Sequence, residues 1–413
     1  MSIIIRSLKA REIIDSRSNP TIETTVTLDN GISATASVPS GASTGTFEAV
    51  ELRDNEKRFN GKGVSKAISN VNSIIAPLIL NKPFSSPREI DNIMCEYDNT
   101  ENKSVLGANA TLSVSLAVYK AFAKHHSLPL YKYIGGEFAT RIPAPMMNIL
   151  NGGAHASNNI DIQEFMIVPI GFSSFSKALQ AGCEVYQSLG KVLKSKGYAT
   201  SVGDEGGYAP NLSSEEEAID IILASIRGAG YSTDEIKIAL DIASSEWYEE
   251  GKYKLPKAKI NFSASELIEK WDKLISNYPI ISIEDPLGEC DYSGWQKITE
   301  KLGKKTLLVG DDLFVTNKKR LDYGIKNGIA NTILIKPNQI GTLSETLDVI
   351  KLAKENGYFS ILSHRSGDTN DTSISDISVG VMSEFIKTGA PCRMERVAKY
   401  NRLLKIENEL FGI

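Results

Sequence analysis

Along the first forty residues apolar and polar positions alternate with the period of a strand. TIETTVTL, residues 21–28, carries β-branched residues in rough alternation; DNG at 29–31 has the composition of a hairpin turn, and ISATASV follows. A small antiparallel sheet is expected there. Between Gly61 and His126 the period changes. VSKAISNVNSIIAPLI and NATLSVSLAVYKAFAKHH place apolar residues at three-and-four spacing, so helices are expected to pack on that sheet. YIGGEFATRIPAPMM, 133–147, concentrates glycine and proline, which break regular structure, and puts a domain boundary near residue 138. The expected domains are 1–138 and 139–413.

Beyond the boundary a unit recurs: apolar run, polar tip, helical segment. KIALDIA ends around Asp241, IISIEDP around Glu284, TLLVGDD around Asp311, TILIKPN around Lys336 and FSILSHR around His364. Most of these tips lie about thirty residues apart, the length of a strand, a helix and two loops. Continuous apolar strands between amphipathic helices indicate a parallel sheet covered by helices. Polar residues at successive carboxyl ends fit a closed β/α barrel with its active site at that face. An open doubly wound sheet is the other arrangement compatible with the pattern.

In such a barrel Asp241, Glu284 and Asp311 converge on one mouth. Three close carboxylates repel, and a hard divalent cation with oxygen ligands, magnesium foremost, relieves them. Each alone also reads as a helix cap or a surface acid. Lys336 directly follows Ile333, Leu334 and Ile335. A lysine taken out of water disfavours its charged form, so it is expected to be a general base facing a metal-bound substrate. The plainer alternative is that it snorkels to the surface. VGDEGGYAP sets Asp204 and Glu205 on a turn crowded by Gly203, Gly206 and Gly207, where an acid can point into a cleft. In SHRSGDTND, the arginine fork and hydroxyl of His364, Arg365 and Ser366 suit phosphate or carboxylate, although a solvated loop reads the same way. PSGASTG, 39–45, is a small-residue loop able to close on an anion or metal. It lacks the Walker pattern, and neither that nor G-x-G-x-x-G occurs in the chain, which removes the main support for nucleotide binding.

Composition narrows the classes further. With 41% hydrophobic and 23% charged residues, the 413-residue chain is of ordinary globular type. Its 46 basic against 50 acidic residues give a net charge of −4, which is no footprint for nucleic acid as main partner. The four cysteines are far apart with no C-x-x-C, so neither a disulfide scaffold nor a zinc ribbon is encoded. MSIIIRSLKAR is too short and wrongly flanked for a signal segment, and no run approaches the length of a membrane span. The cytoplasm is the expected address.

The segments DSRSNPTIE, PSGASTGTFEAVELRD, LPLYKYIGG, NGGAHASNNIDIQEFMIVP, VGDEGGYAP, IALDIASSEWY, SIEDPL, VGDDLFVTN, IKPNQIGTLSET, SHRSGDTND and IKTGAPCRMERVAKYNRLL run nearly end to end. In them the chain resembles the enolases, the magnesium-dependent phosphopyruvate hydratases of glycolysis. The resemblance implies a small N-terminal α+β domain on a C-terminal TIM-like barrel of ββαα(βα)6 order. It also implies reversible dehydration of 2-phosphoglycerate to phosphoenolpyruvate with two Mg²⁺ per site. By the same resemblance Asp241, Glu284 and Asp311 hold the first magnesium, and Ser43 helps hold the second. Lys336 is then the base at C2 and Glu205 the acid for the departing C3 hydroxyl. Gln163 and Glu164 line the site, and His155 lies on a closing loop. Arg365 and Ser366 contact the phosphate with His364 beside them, and Lys387 faces the substrate carboxylate. A homodimer or larger homo-oligomer is implied, with a secondary cell-surface or secreted pool in some members.

Departures from the family pattern are Ser18 for glycine, mild unless the backbone there needs positive φ; Asp368 for glutamate; and Glu384 and Phe385 just before Lys387, expected to alter its tuning. Lys405 stands where the family pairs an arginine with the glutamate matching Glu23, so that dimer contact is expected to be weaker or rearranged. An acid-sugar dehydratase or racemase of the wider superfamily would share the carboxylates and the lysine, but PSGASTG and SHRSG serve phosphate closure. A non-catalytic binding protein would not need the intact acid, base and metal positions.

Overall fold

A computed structural model describes residues 2–41 and 45–412. Ser43 lies outside the described residues. The expected N-terminal sheet forms from β1 (Ile3–Ile14), β2 (Pro20–Leu28), β3 (Ser33–Ser37) and the short β4 (Pro83–Phe84), antiparallel in the order β3-β2-β1-β4. Its alternation is the alternation of burial. Ile22, Thr24, Val26 and Leu28 face inward, toward the helix Ala108–His125, where Thr24 Oγ1 meets Ser113 Oγ at 2.6 Å. The helical stretch over 64–79 is broken by a π segment, Asn70–Ile75. Pro77 follows it and has no N–H to give to the carbonyl four residues earlier.

Between β1 and β2, Ser18 has φ 61. The position is left-handed, so the side chain that replaces the family's glycine carries backbone strain and the difference is not mild.

The barrel is closed. Its strands are β5 (Ala144–Asn151), β6 (Glu164–Pro169) and β7 (Ile236–Asp241), then, after a small sheet of β8 (Tyr248–Glu249), β9 (Lys252–Leu255) and β10 (Ile260–Phe262), β11 (Ile280–Glu284), β12 (Leu307–Gly310), β13 (Thr332–Ile335), β14 (Phe359–Ser363) and β15 (Phe385–Lys387). Closure excludes the doubly wound sheet. β6 runs antiparallel to both neighbours, β5 and β7, and every other pair is parallel. Two helices, Phe175–Ser195 and Glu215–Gly228, follow β6 before the six βα units begin, which is the ββαα(βα)6 order.

The continuous apolar runs are explained by two cores. Met146, Met166, Val168, Ala239, Val309, Leu334 and Ile361 fill the barrel interior. Their neighbours in sequence, such as Ile333 and Ile335, pack outward against the helices. Among the described residues no helix is long and apolar enough to cross a membrane.

Candidate active site

The period of two along each strand decides which polar tips enter the mouth. Ala239, Val309 and Leu334 lie in the inner core, and two residues on stand Asp241, Asp311 and Lys336. Phe385, which packs on that core, is two residues before Lys387. On the reversed strand β6, Met166 is inward and Glu164, at the strand's start, comes to the same end. Of the described residues expected at the site, every one lines a single cavity except Glu284, which joins it through Lys387. That cavity holds about 30 Å³, room for roughly two waters.

Lys387 is the hub. Its Nζ donates to Asp241 Oδ2 at 2.8 Å and to both oxygens of Glu284 at 2.9 Å, with Glu164 Oε2 at 3.3 Å. Burial would strip its proton, but these acids hold its pKa well above the ordinary lysine range. Lys336 pairs with Asp311, and Gln339 Nε2 donates to the other oxygen of Asp311 at 2.9 Å. The outcome for Lys336 reverses the expectation of a lowered pKa. Burial is the largest single effect and pulls it down, yet the acids around it, Asp311 first and then Glu284, together leave the pKa raised. Against its own burial, Asp311 is correspondingly lowered by Lys336.

The acid side is a pair of carboxyls. Glu205 accepts from Asn148 Nδ2 at 3.0 Å; His364 Nε2 lies 3.3 Å from its Oε2 and His155 Nδ1 3.8 Å from its Oε1. His155 Nδ1 also lies 3.5 Å from Glu164 Oε1. Burial, then Glu205, pushes Glu164 well above the carboxylate range. Burial opposes ionisation of Glu205 too, but His364, His155 and the Arg396 guanidinium hold it well below that range. In direction, Glu164 is the acid that holds a proton more readily and Glu205 the one that gives it up, the opposite of the expectation for Glu205. His364 is driven down to about 4, first by burial.

The 363–371 segment is not a solvated loop: His364, Arg365 and Ser366 are all buried. Arg365 NH1 donates to Glu48 Oε2 at 2.8 Å and to Asn338 Oδ1 at 3.2 Å.

Two family models match the chain: the enolase N-terminal domain over residues 5–134 and the enolase C-terminal TIM barrel domain over residues 139–412. The chain belongs to the enolase family. With that membership comes an enolase-type lyase, a dehydrating enzyme of small molecules, and in enolases the usual cation is Mg²⁺.

The donor set fits a hard cation. The mouth has more acids than its lysines can balance: burial and neighbouring acids push up Glu284 and Asp285 as well as Glu164. Among the described residues, buried Gln163 Oε1 accepts no hydrogen bond, and Glu164 Oε2 has only the Lys387 ammonium near it, 3.3 Å away. Ligand atoms of His155, Glu164 and Glu205, and separately of Asp285, Asp311 and Asp312, lie within 4.8 Å of one another. Of the trio expected from sequence, only Asp311 belongs to either compact group; Asp241 and Glu284 are both bonded to the Lys387 ammonium.

Asp285 and Asp312 were not singled out from sequence, although the doublets ED and DD at two strand ends signal a second acid beside each first. Asp285 accepts the Asp311 N–H at 3.0 Å and the Asp312 N–H at 2.8 Å, so it shapes the turn that presents Asp311. Burial and Asp311 push Asp312 up to about 8. Glu246, on the short turn Ser244–Trp247, lines the cavity with no sequence signal.

Two departures from the enolase pattern resolve. Asp368 Oδ1 accepts from the buried Lys399 Nζ at 2.8 Å. Glu384 does not reach Lys387; it lies at the barrel's other end, bonded to Arg141 NH2 at 2.7 Å and to the Ser360 N–H at 3.0 Å.

Proposed function

We propose that the protein interconverts 2-phosphoglycerate and phosphoenolpyruvate, as a cytoplasmic enzyme of glycolysis and gluconeogenesis, with two Mg²⁺ per site. The observation carrying this reading is one buried mouth with a lysine–carboxylate side and an acid pair, Glu164 and Glu205, whose oxygens approach within 4.8 Å, with Arg365 and Ser366 lining the same cavity. Asp241, Glu284 and Asp311 would hold the first cation, and Ser43 would serve the second. Bound magnesium supplies positive charge against the charge that C2 proton removal adds to a substrate already carrying about three negative charges.

The chain's own groups do the proton work. Lys336 takes the C2 proton once it has given up its own, and Gln339 keeps Asp311 in place during that exchange. The proton delivered to the departing C3 hydroxyl comes from this acid pair, with Glu205 as the donor. Arg365 and Ser366 hold the phosphate with His364 beside them, Lys387 faces the carboxylate, and Gln163 and His155 close the remaining walls.

The protein also assembles as a homodimer in this reading. Glu23 is already engaged by Arg11 at 2.7 Å, and Lys405 is exposed, so their contact across the dimer is weak. A monomer in light scattering at micromolar concentration overturns this part.

The deciding test is ultraviolet detection of the enol product from 2-phosphoglycerate and Mg²⁺ with a chelator control. Chelator-sensitive product is expected, with Lys336→Ala lowering turnover at least about 10²-fold. A folded, magnesium-loaded protein that stays silent overturns the reading, and a folded Lys336→Ala enzyme of normal turnover removes Lys336 from its role.

A further inference from the structure

The first turn of the C-terminal helix, Met394–Phe411, carries a guanidinium with no exposed surface, Arg396. Its NH1 lies 2.6 Å from His364 Nδ1 and donates to the Arg365 carbonyl at 2.5 Å. Its NH2 donates to the Ser366 carbonyl at 2.6 Å and to the Asp204 carbonyl at 3.2 Å. Asp368 and Glu395, each 3.6 Å away, supply counter-charge. One planar fork thus ties the turn bearing Glu205 to the loop bearing His364, Arg365 and Ser366, and a lysine has no equivalent geometry.

The contact with His364 constrains more than position. An arginine keeps its protons in a folded protein and has only donors to offer, so the ring nitrogen facing it must present a lone pair. That nitrogen is Nδ1. A neutral imidazole has one N–H, which is then on Nε2, the atom 3.3 Å from Glu205 Oε2.

We propose that Arg396 is a positioning residue that locks His364 in its Nε2–H tautomer, so that within the site His364 can only donate a hydrogen bond toward Glu205. His364 then cannot relay a proton to or from Glu205. Its cavity-facing nitrogen is already protonated, and a second proton on Nδ1 would face the donors of Arg396. The proton that Glu205 delivers must come by way of Glu164 or from solvent. This catalytic meaning rests on the proposed role of Glu205; the tautomer does not.

The test is nitrogen NMR of protein labelled in the imidazole ring, near neutral pH, without substrate or metal. The chain has only four histidines, and His364→Gln identifies the His364 pair of signals. The wild type is expected to show a pyridine-type Nδ1 and a pyrrole-type Nε2. Arg396→Met, which keeps bulk and removes the donors, is expected to move both signals toward each other as the tautomers mix. A pyrrole-type Nδ1 in the wild type overturns the proposal, as does a folded Arg396→Met protein with wild-type signals. Should that variant not fold, Arg396→Gln, whose amide can turn either its donor or its acceptor to Nδ1, is read by the same criterion. Because the spectra need no turnover, failure of the dehydration assay leaves this result standing, and the converse holds.

Discussion

Strand β15 and the residue before it carry the two extremes of the barrel's electrostatics within one short stretch. Lys387 ends inside the mouth with 4% of its side chain exposed, bonded to Asp241 and Glu284. Glu384, three residues earlier, opens at the other end, where its partner Arg141 is 50% exposed. Both ends are salt bridges, but they differ in value. In water an ion pair exchanges hydration for little net gain, and salt screens it. In a dry site the charges cannot return to water, so removing one partner strands the others. Proximity in sequence to Lys387 suggested that Glu384 tunes it; the three-residue span of β15 separates them by the depth of the barrel.

The largest effect that can break this comparison is Lys387→Met. It leaves Asp241, Glu284 and Glu164 facing one another, and a loss of about 3–5 kcal/mol is expected in urea unfolding with chelator present. A loss under about 1 kcal/mol would make the buried hub no stronger than a surface pair.

A buried acid with no ion pair among the described residues sharpens the contrast. Asp91, on the helix Pro87–Asp98, accepts from Ser115 Oγ at 2.9 Å, Ser344 Oγ at 2.6 Å and the Ser344 N–H at 3.1 Å, so it joins that helix to the start of the helix Leu343–Glu355. Burial pushes it up to about 6, whereas Asp311, paired with Lys336, falls. A raised carboxyl pKa means that the folded protein binds the proton more tightly than the unfolded chain. Its contribution is full below about pH 4 and lost as pH rises through about 6, by at most about 3 kcal/mol. The stability of the wild type relative to Asp91→Asn should therefore fall by up to that amount from pH 4 to 7. A constant difference across that range would contradict the account.

A change that touches no charge gives a scale. Ser18→Gly relieves the left-handed strain at φ 61 and is expected to raise stability by about 1 kcal/mol; an unchanged melting temperature would show that the turn tolerates serine. The smallest effect belongs to the wet end. Arg141→Ala should cost about 0.2–1 kcal/mol and less in high salt, and a salt-independent cost above about 2 kcal/mol would erase the distinction between the two ends.

Much of this architecture was legible before any coordinates, for local reasons. A strand's period of two and a helix's of three to four are written residue by residue, so the hairpin over 21–38, the helix ending at His125 and the tips Asp241, Glu284, Asp311, Lys336 and His364 could be located from pattern. Part of the mouth's membership follows from the same parity, since Leu334 inward puts Lys336 inward; Glu284 and His364 do not follow it, because Ile281 and Ile361, three residues before them, are the inward ones. The π segment, the positive φ at Ser18 and the place of Arg396 have no such local signature.

The charge states were decided by the tertiary structure alone. A pKa depends on which groups the fold brings within a few ångströms, and these partners come from far apart in the chain: Lys336 meets Asp311 across 25 residues and Lys387 meets Asp241 across 146. Sequence placed a lysine at the end of a buried strand and an acid on a glycine turn. It could not place the protons, because burial and an opposite charge pull them in opposite directions and only distance says which prevails.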